Sequence, residues 1–199
     1  EARVQIITPS DQRHRSTSRS LPVLLNLYAG PNSQLVKDES TIDIAEYLVS
    51  SRHYAVVKID GRGSAGRGWK YRSAIYGALG TVEIQDQIEA LKAVLKKHSV
   101  FDASRVSIFG WSYGGFAAVK AVELAPESFF KCTVSVAPVA NFLYYDNVHF
   151  QHSALLMEAL QLQDIDFDAM VYPNQDHSIS RRTHLYNKMT AFLDNCAKH

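Results

Sequence analysis

Hydrophobic positions along this chain follow two periods. Residues 21–29 and 54–60 are almost continuously apolar, as strands covered on both faces must be, and residues 3–8 alternate like a short edge strand. Elsewhere apolar residues recur at helical spacing. Ile42, Ala45, Leu48 and Val49 predict a helix over 41–51. Val82, Ile84, Ile88, Leu91, Val94 and Leu95 predict a long amphipathic helix over 81–98, with Thr81 as its N-cap. The rest of the pattern predicts strand 105–109, helix 114–124 closed before Pro126, strand 131–139, helix 150–162, strand 166–172 and helix 181–197. Strands alternating with helices specify an α/β fold, a mostly parallel sheet with helices on both faces. Ligands of such sheets sit at the carboxyl ends of the strands.

Composition narrows the function classes. The 199 residues fit one domain, and a hydrophobic content of 46% suffices for a core. The formal net charge is +1 and no Lys/Arg block stands out, which argues against a nucleic-acid footprint. The Ser/Arg-rich stretch 12–19 reads as a solvated loop. No apolar run is long enough for a membrane span, and the first residues are not a signal peptide. The chain begins inside a strand-like run, so a fragment of a longer protein is expected. Its two cysteines, Cys132 and Cys196, lack metal-type spacing, and neither a metal nor another cofactor is expected.

Two glycine-rich turns follow predicted strands, and they read differently. Gly61, Gly63 and Gly66 match G-x-G-x-x-G, but no helix is predicted to open at Gly66, and no acidic strand end follows in the right context. A structural loop accounts for it better than a dinucleotide site. The second turn, Gly110-Trp111-Ser112-Tyr113-Gly114, is G-x-S-x-G between a strand and a helix, the context in which that motif makes a nucleophile. A serine hydroxyl is a poor nucleophile without a base against it. The sharp turn lifts the Ser112 hydroxyl clear of the sheet and offers the Tyr113 N–H to a developing oxyanion. The base follows in chain order. Of the eight histidines, His177 has the best placement, in the loop after strand 166–172. His149 and His152 precede or enter a helix, His184 lies within the last helix, and His98 closes one.

These residues resemble the prolyl oligopeptidase clan of serine peptidases, in its dipeptidyl peptidase branch. The matching stretches run through nearly the whole chain in order: 27–31, 60–64, 79–83 with Asp86-Gln87, 110–115, 130–132, 137–139, 144–146, 147–151 and 176–177. The resemblance implies an α/β-hydrolase domain that removes N-terminal dipeptides after a penultimate proline or alanine. It implies that Tyr28 gives its hydroxyl as second oxyanion donor, that Trp111, Val139, Tyr145 and Val148 line a proline pocket, and that Asn147 binds the substrate carbonyl. Taken alone, Tyr28 reads as a strand-end aromatic and Tyr145 as core. The resemblance further implies a larger parent protein with a β-propeller, exposed at the cell surface or secreted, and is compatible with a homodimer of that parent.

Departures from the family pattern bear on activity. In this family a strand and an acidic turn separate the paired tyrosines from the Asn-Val-His-Phe stretch. Here Tyr144-Tyr145-Asp146 abuts Asn147 directly. A unit of about 30 or more residues, the size of a strand–helix crossover, is expected to be missing, and the triad acid with it. Asp146 is the nearest substitute, but it matches no triad acid; Asp176 adjoins His177, where neighbouring side chains seldom reach triad geometry. Three readings stay open: an active dipeptidyl peptidase whose chain is truncated here, a non-catalytic binding or accessory relative, and a simple esterase. For the cysteines, two buried free thiols are the plain reading. The resemblance places a bridge between Cys132 and Cys196, which implies an oxidising compartment.

Overall fold

The computed structural model describes residues 1–10, 20–39, 43–140 and 150–198. Its sheet has five strands among these residues, β1 (Arg3–Ile7), β2 (Leu21–Leu27), β3 (Ala55–Asp60), β4 (Phe101–Trp111) and β5 (Cys132–Val136), in the order β1-β3-β2-β4-β5. Only β1 runs antiparallel, against β3; the other pairs are parallel. All seven residues of β2 and all six of β3 are buried, which is why their sequences read as unbroken apolar runs.

Strand alternation divides the core into two layers. Val23, Leu25, Leu27, Val57, Ile59 and Ile108 face α3 (Val82–Lys97) and α4 (Tyr113–Leu124). Leu24, Val56, Phe109 and Val136 face α1 (Ile44–Arg52) and α6 (Arg182–Cys196). The two layers pack on opposite faces of one sheet, as the α/β pattern requires.

Several boundaries differ from expectation for local reasons. β4 starts at Phe101 because Leu21 pairs with it before a register shift. β5 stops at Val136, where Ala137 turns into the left-handed region at φ 43°. Trp69–Arg72 forms α2, a single helical turn inside the stretch read as irregular. The glycine loop is held structurally: Arg62 grips the Asp86 carboxylate through Nε (2.9 Å) and Nη2 (2.6 Å). Thr81 is the N-cap residue of α3, but its hydroxyl donates to the Ala78 carbonyl (2.6 Å) rather than capping the helix.

The expected strand over 166–172 is not a strand. It lies outside the sheet with Met170 and Val171 about half exposed, after the exposed C-terminal end of α5 (Phe150–Leu162). A strand needs a neighbour for its backbone N–H and C=O groups. The sheet ends at β5, and nothing among the described residues lies beside it to receive this segment.

Candidate active site

Ser112 sits between β4 and α4 with φ 60° and ψ −120°, a left-handed backbone rarely adopted by a residue with a side chain. The cost of such a conformation is about 1–3 kcal/mol, and the surroundings must impose it. They do so by close backbone approach. A Cβ at Gly110 would lie 1.9 Å from the Gly114 carbonyl oxygen, and a Cβ at Gly114 would lie 2.3 Å from the Leu27 oxygen. The Ser112 N–H donates to the Val136 carbonyl (2.9 Å), tying the turn to the end of β5.

Tyr28 follows the last residue of β2, and Ala29 turns the chain immediately after it at φ 58°. Its ring lies 6.5 Å from that of Tyr113, and Gly30 is small because a Cβ there would meet the Tyr28 ring at 2.6 Å. Two ends of neighbouring parallel strands thus bring Tyr28 and the Ser112–Tyr113 turn together.

His177 joins them through its backbone: the Trp111 indole N–H donates to the His177 carbonyl (3.2 Å). Its Nδ1 is buried and has no hydrogen-bond partner among the described residues. Burial pushes the imidazole below its ordinary pKa; nearby Asp176 pulls it up and His152 pushes it further down. Asp176 makes no hydrogen bond to the ring Nδ1; its Oδ1 accepts the Ser178 N–H (3.0 Å) and hydroxyl. His152, buried at the start of α5, accepts the Ala140 N–H at its Nδ1 (3.1 Å).

Of the residues assigned to the proline pocket, Val139 is buried and borders an apolar cleft of about 120 Å³ with Phe116, Val119, Pro138, Ala140 and Leu156. Trp111 does not border that cleft; the Arg182 guanidinium stacks over its ring at 4.3 Å. Tyr145, Asn147 and Val148, with Asp146 and His149, lie outside the described residues. No group of three or more His, Cys, Asp or Glu side chains among the described residues is arranged to hold a metal. Cys132 and Cys196 form a disulfide with Cα atoms 6.2 Å apart, linking the start of β5 to the end of α6.

One feature escaped the sequence reading. Glu83 is fully buried and accepts the Tyr113 hydroxyl (2.7 Å) and the Gly80 N–H. The signal was present: Glu83 and Gln87 lie four residues apart on the stripe that continues to Leu91, polar residues at core positions.

The prolyl oligopeptidase family matches residues 41–147 and 146–199. The chain belongs to that family. Prolyl oligopeptidase family members similar to it include "Dipeptidyl peptidase family member 1" of Caenorhabditis elegans, 45% identical across 98% of this chain and 30% of that protein. "Venom dipeptidyl peptidase 4" of Apis mellifera is 34% identical across 90% of this chain and 29% of its own length. The crystal structure of Porphyromonas gingivalis dipeptidyl peptidase 4 superposes with a TM-score of 0.87 at 33% identity, over 96% of this chain and 33% of that one. The chain spans about a third of the length of these relatives. The fold is the α/β-hydrolase fold of their catalytic domains. The family match breaks in two at residues 146–147, and the alignment to the worm relative runs over 238 positions against 199 residues here, so at least 39 positions face no residue of this chain.

Proposed function

We propose that this chain carries the acyl-transfer machinery of a dipeptidyl peptidase, with Ser112 as nucleophile, and that in the present form its turnover is low. The backbone of Ser112 carries the reading. A strained left-handed serine between a buried strand and a helix, with no room for a Cβ on either flanking glycine, is what exposing a nucleophile demands and what an ordinary turn avoids.

The steps follow from the residues. The Ser112 hydroxyl attacks the carbonyl carbon of the second substrate residue, and its proton passes to His177. The resulting oxyanion is held by the Tyr113 N–H and the Tyr28 hydroxyl. As the C–N bond breaks, His177 returns the proton to the leaving amine. Water then attacks the acyl-enzyme, again through His177, and frees the dipeptide. By the family resemblance, buried Val139 would help to hold a penultimate proline or alanine. The parent would be extracellular, a reading supported by the Cys132–Cys196 bridge and by the venom relative.

That His177 Nδ1 has no hydrogen-bond partner among the described residues supports the second half of the proposal. In a serine triad the acid occupies that position and stabilises the imidazolium; losing it lowers turnover by ~10⁴. By the family resemblance, this acid belongs to the segment that the break at 146–147 interrupts. The test is a fluorophosphonate probe followed by peptide mapping. Ser112 should take the label and Ser112→Ala should not, while hydrolysis of a Gly-Pro anilide stays far slower than that of an activated ester. Label on another residue would dismiss the nucleophile; fast Gly-Pro hydrolysis would dismiss the impairment.

A further inference from the structure

Glu83 has no place in the steps above, yet it is a fully buried carboxylate beside the nucleophile turn. Carboxylates are almost never fully buried unless donors surround them. Here three do: the Tyr113 hydroxyl at 2.7 Å, the Gly80 N–H, and the Thr81 N–H at 3.3 Å. The two backbone contacts cap the start of α3, a task that an exposed side chain performs elsewhere without being buried. The Tyr113 contact has no such explanation. Tyr113 follows the nucleophile, and its backbone N–H is the oxyanion donor of the proposed reaction. Its ring is buried against Phe116, edge-on at 5.4 Å, and faces Tyr28 at 6.5 Å. The loop before α3 closes on the same group: a Cβ at Gly80 would lie 3.0 Å from the Phe116 ring.

We propose that Glu83 is a positioning residue of the oxyanion hole, holding the Tyr113 ring so that the Tyr113 N–H and, through ring contact, Tyr28 keep their aim at the reacting carbonyl. This rests on the peptidase reading of Ser112. Glu83 Oε1 accepts both the Tyr113 hydroxyl and the Gly80 N–H, so an amide oxygen at that point preserves both bonds and forfeits only the longer Thr81 N–H contact at Oε2. Removing the tyrosine hydroxyl breaks the tie to the turn and leaves the Glu83 contacts to the Gly80 and Thr81 N–H groups in place.

Three variants of the chain test this: Tyr113→Phe, Glu83→Gln, and Leu91→Ala as a control that opens a cavity further along α3. The readouts are thermal unfolding, the rate of Ser112 phosphonylation at saturating probe with the half-saturating probe concentration, and the backbone amide resonance of Tyr113. Tyr113→Phe should slow labelling ~10- to 100-fold with little change in half-saturation, the size expected when a reacting geometry slips. Glu83→Gln should stay within about threefold of the parent. Leu91→Ala should lower the unfolding temperature as much or more while labelling normally. In Tyr113→Phe the Tyr113-position amide should also shift and broaden, and this holds even if the parent chain takes no label at all. An unlabelled parent with that amide response retains the positioning role and rejects the nucleophile. Wild-type labelling and an unmoved amide in Tyr113→Phe overturn the proposal, as does a Leu91→Ala variant that loses labelling in step with stability.

Discussion

At the scale of single residues, the site is a set of conformations that only particular side chains permit. Gly114 shows this most directly, because the Leu27 oxygen occupies the space where a Cβ would go. Gly114→Ala should force α4 away from the end of β2, costing about 1–3 kcal/mol or more and abolishing labelling of Ser112. Denaturant unfolding and probe labelling measure the two losses. His177 yields a prediction in pH. Burial lowers its pKa from the ordinary imidazole value of about 6.5, and in the proposed reaction only the neutral ring can take the Ser112 proton. The acid limb of the labelling rate should therefore fall below pH ~6.5. Stability follows the same sign. The unfolded chain holds the proton more tightly, so this contribution is complete above ~6.5 and declines as pH falls through the native pKa. A midpoint above 6.5 would mean that an acid, charged and close, had found the ring after all. The strained turn at Ser112 was legible in the sequence because G-x-S-x-G between a strand and a helix leaves few readings. Glu83 was not, because a buried acid on a helix stripe states its role only once its partner, Tyr113, is seen.

Among elements, legibility followed the source of each element's stability. β2 and β3 are buried on both faces and read plainly as apolar runs. The amphipathic α3 was likewise evident, since its stripe meets the sheet beneath it. Residues 166–172 were misread for the opposite reason. Their pattern is that of a strand, but strand formation depends on a neighbour that local sequence does not contain. The bridge between β5 and α6 belongs at this scale too. It closes a loop with a sequence separation of 64 residues, for which the chain-entropy model gives up to ~4 kcal/mol. Replacing both cysteines by serine should lower the unfolding free energy by about 2–4 kcal/mol. Reductant should do the same to the parent and nothing to the double variant. Equal denaturation midpoints for parent and variant would show that the bridge adds no stability.

For the whole molecule, the decisive region is the open side of the sheet. Among the described residues β5 has one strand neighbour, most of its own residues are only half buried, and α5 buries only His152. Beyond them lie Ile165, Met170 and Val171, all exposed. Relatives place at least 39 additional positions within the matched stretch, and the family match divides at 146–147. Among the described residues three observations fit one omission: a sheet edge at β5 with no further strand, a strand-like segment outside the sheet, and a His177 nitrogen with no hydrogen-bond partner. An unprotected edge recruits other strands, so the chain should scatter light at rising concentration and bind an apolar dye. Grafting the extra residues of the worm relative between Asp146 and Asn147 should reverse this. A strand beside β5 would pair its free N–H and C=O groups and let residues 166–172 enter the sheet. The acid following that strand would meet His177 Nδ1. The graft should therefore reduce dye binding, raise the unfolding temperature, and increase Gly-Pro hydrolysis by up to ~10⁴ relative to the parent chain. Asp146 provides the control: if Asp146→Asn in the ungrafted chain abolished robust hydrolysis, the acid would already be present and the graft should add little. A graft that folds, quenches dye binding and leaves Gly-Pro turnover unchanged would separate the two effects and remove the missing acid as the cause of low activity.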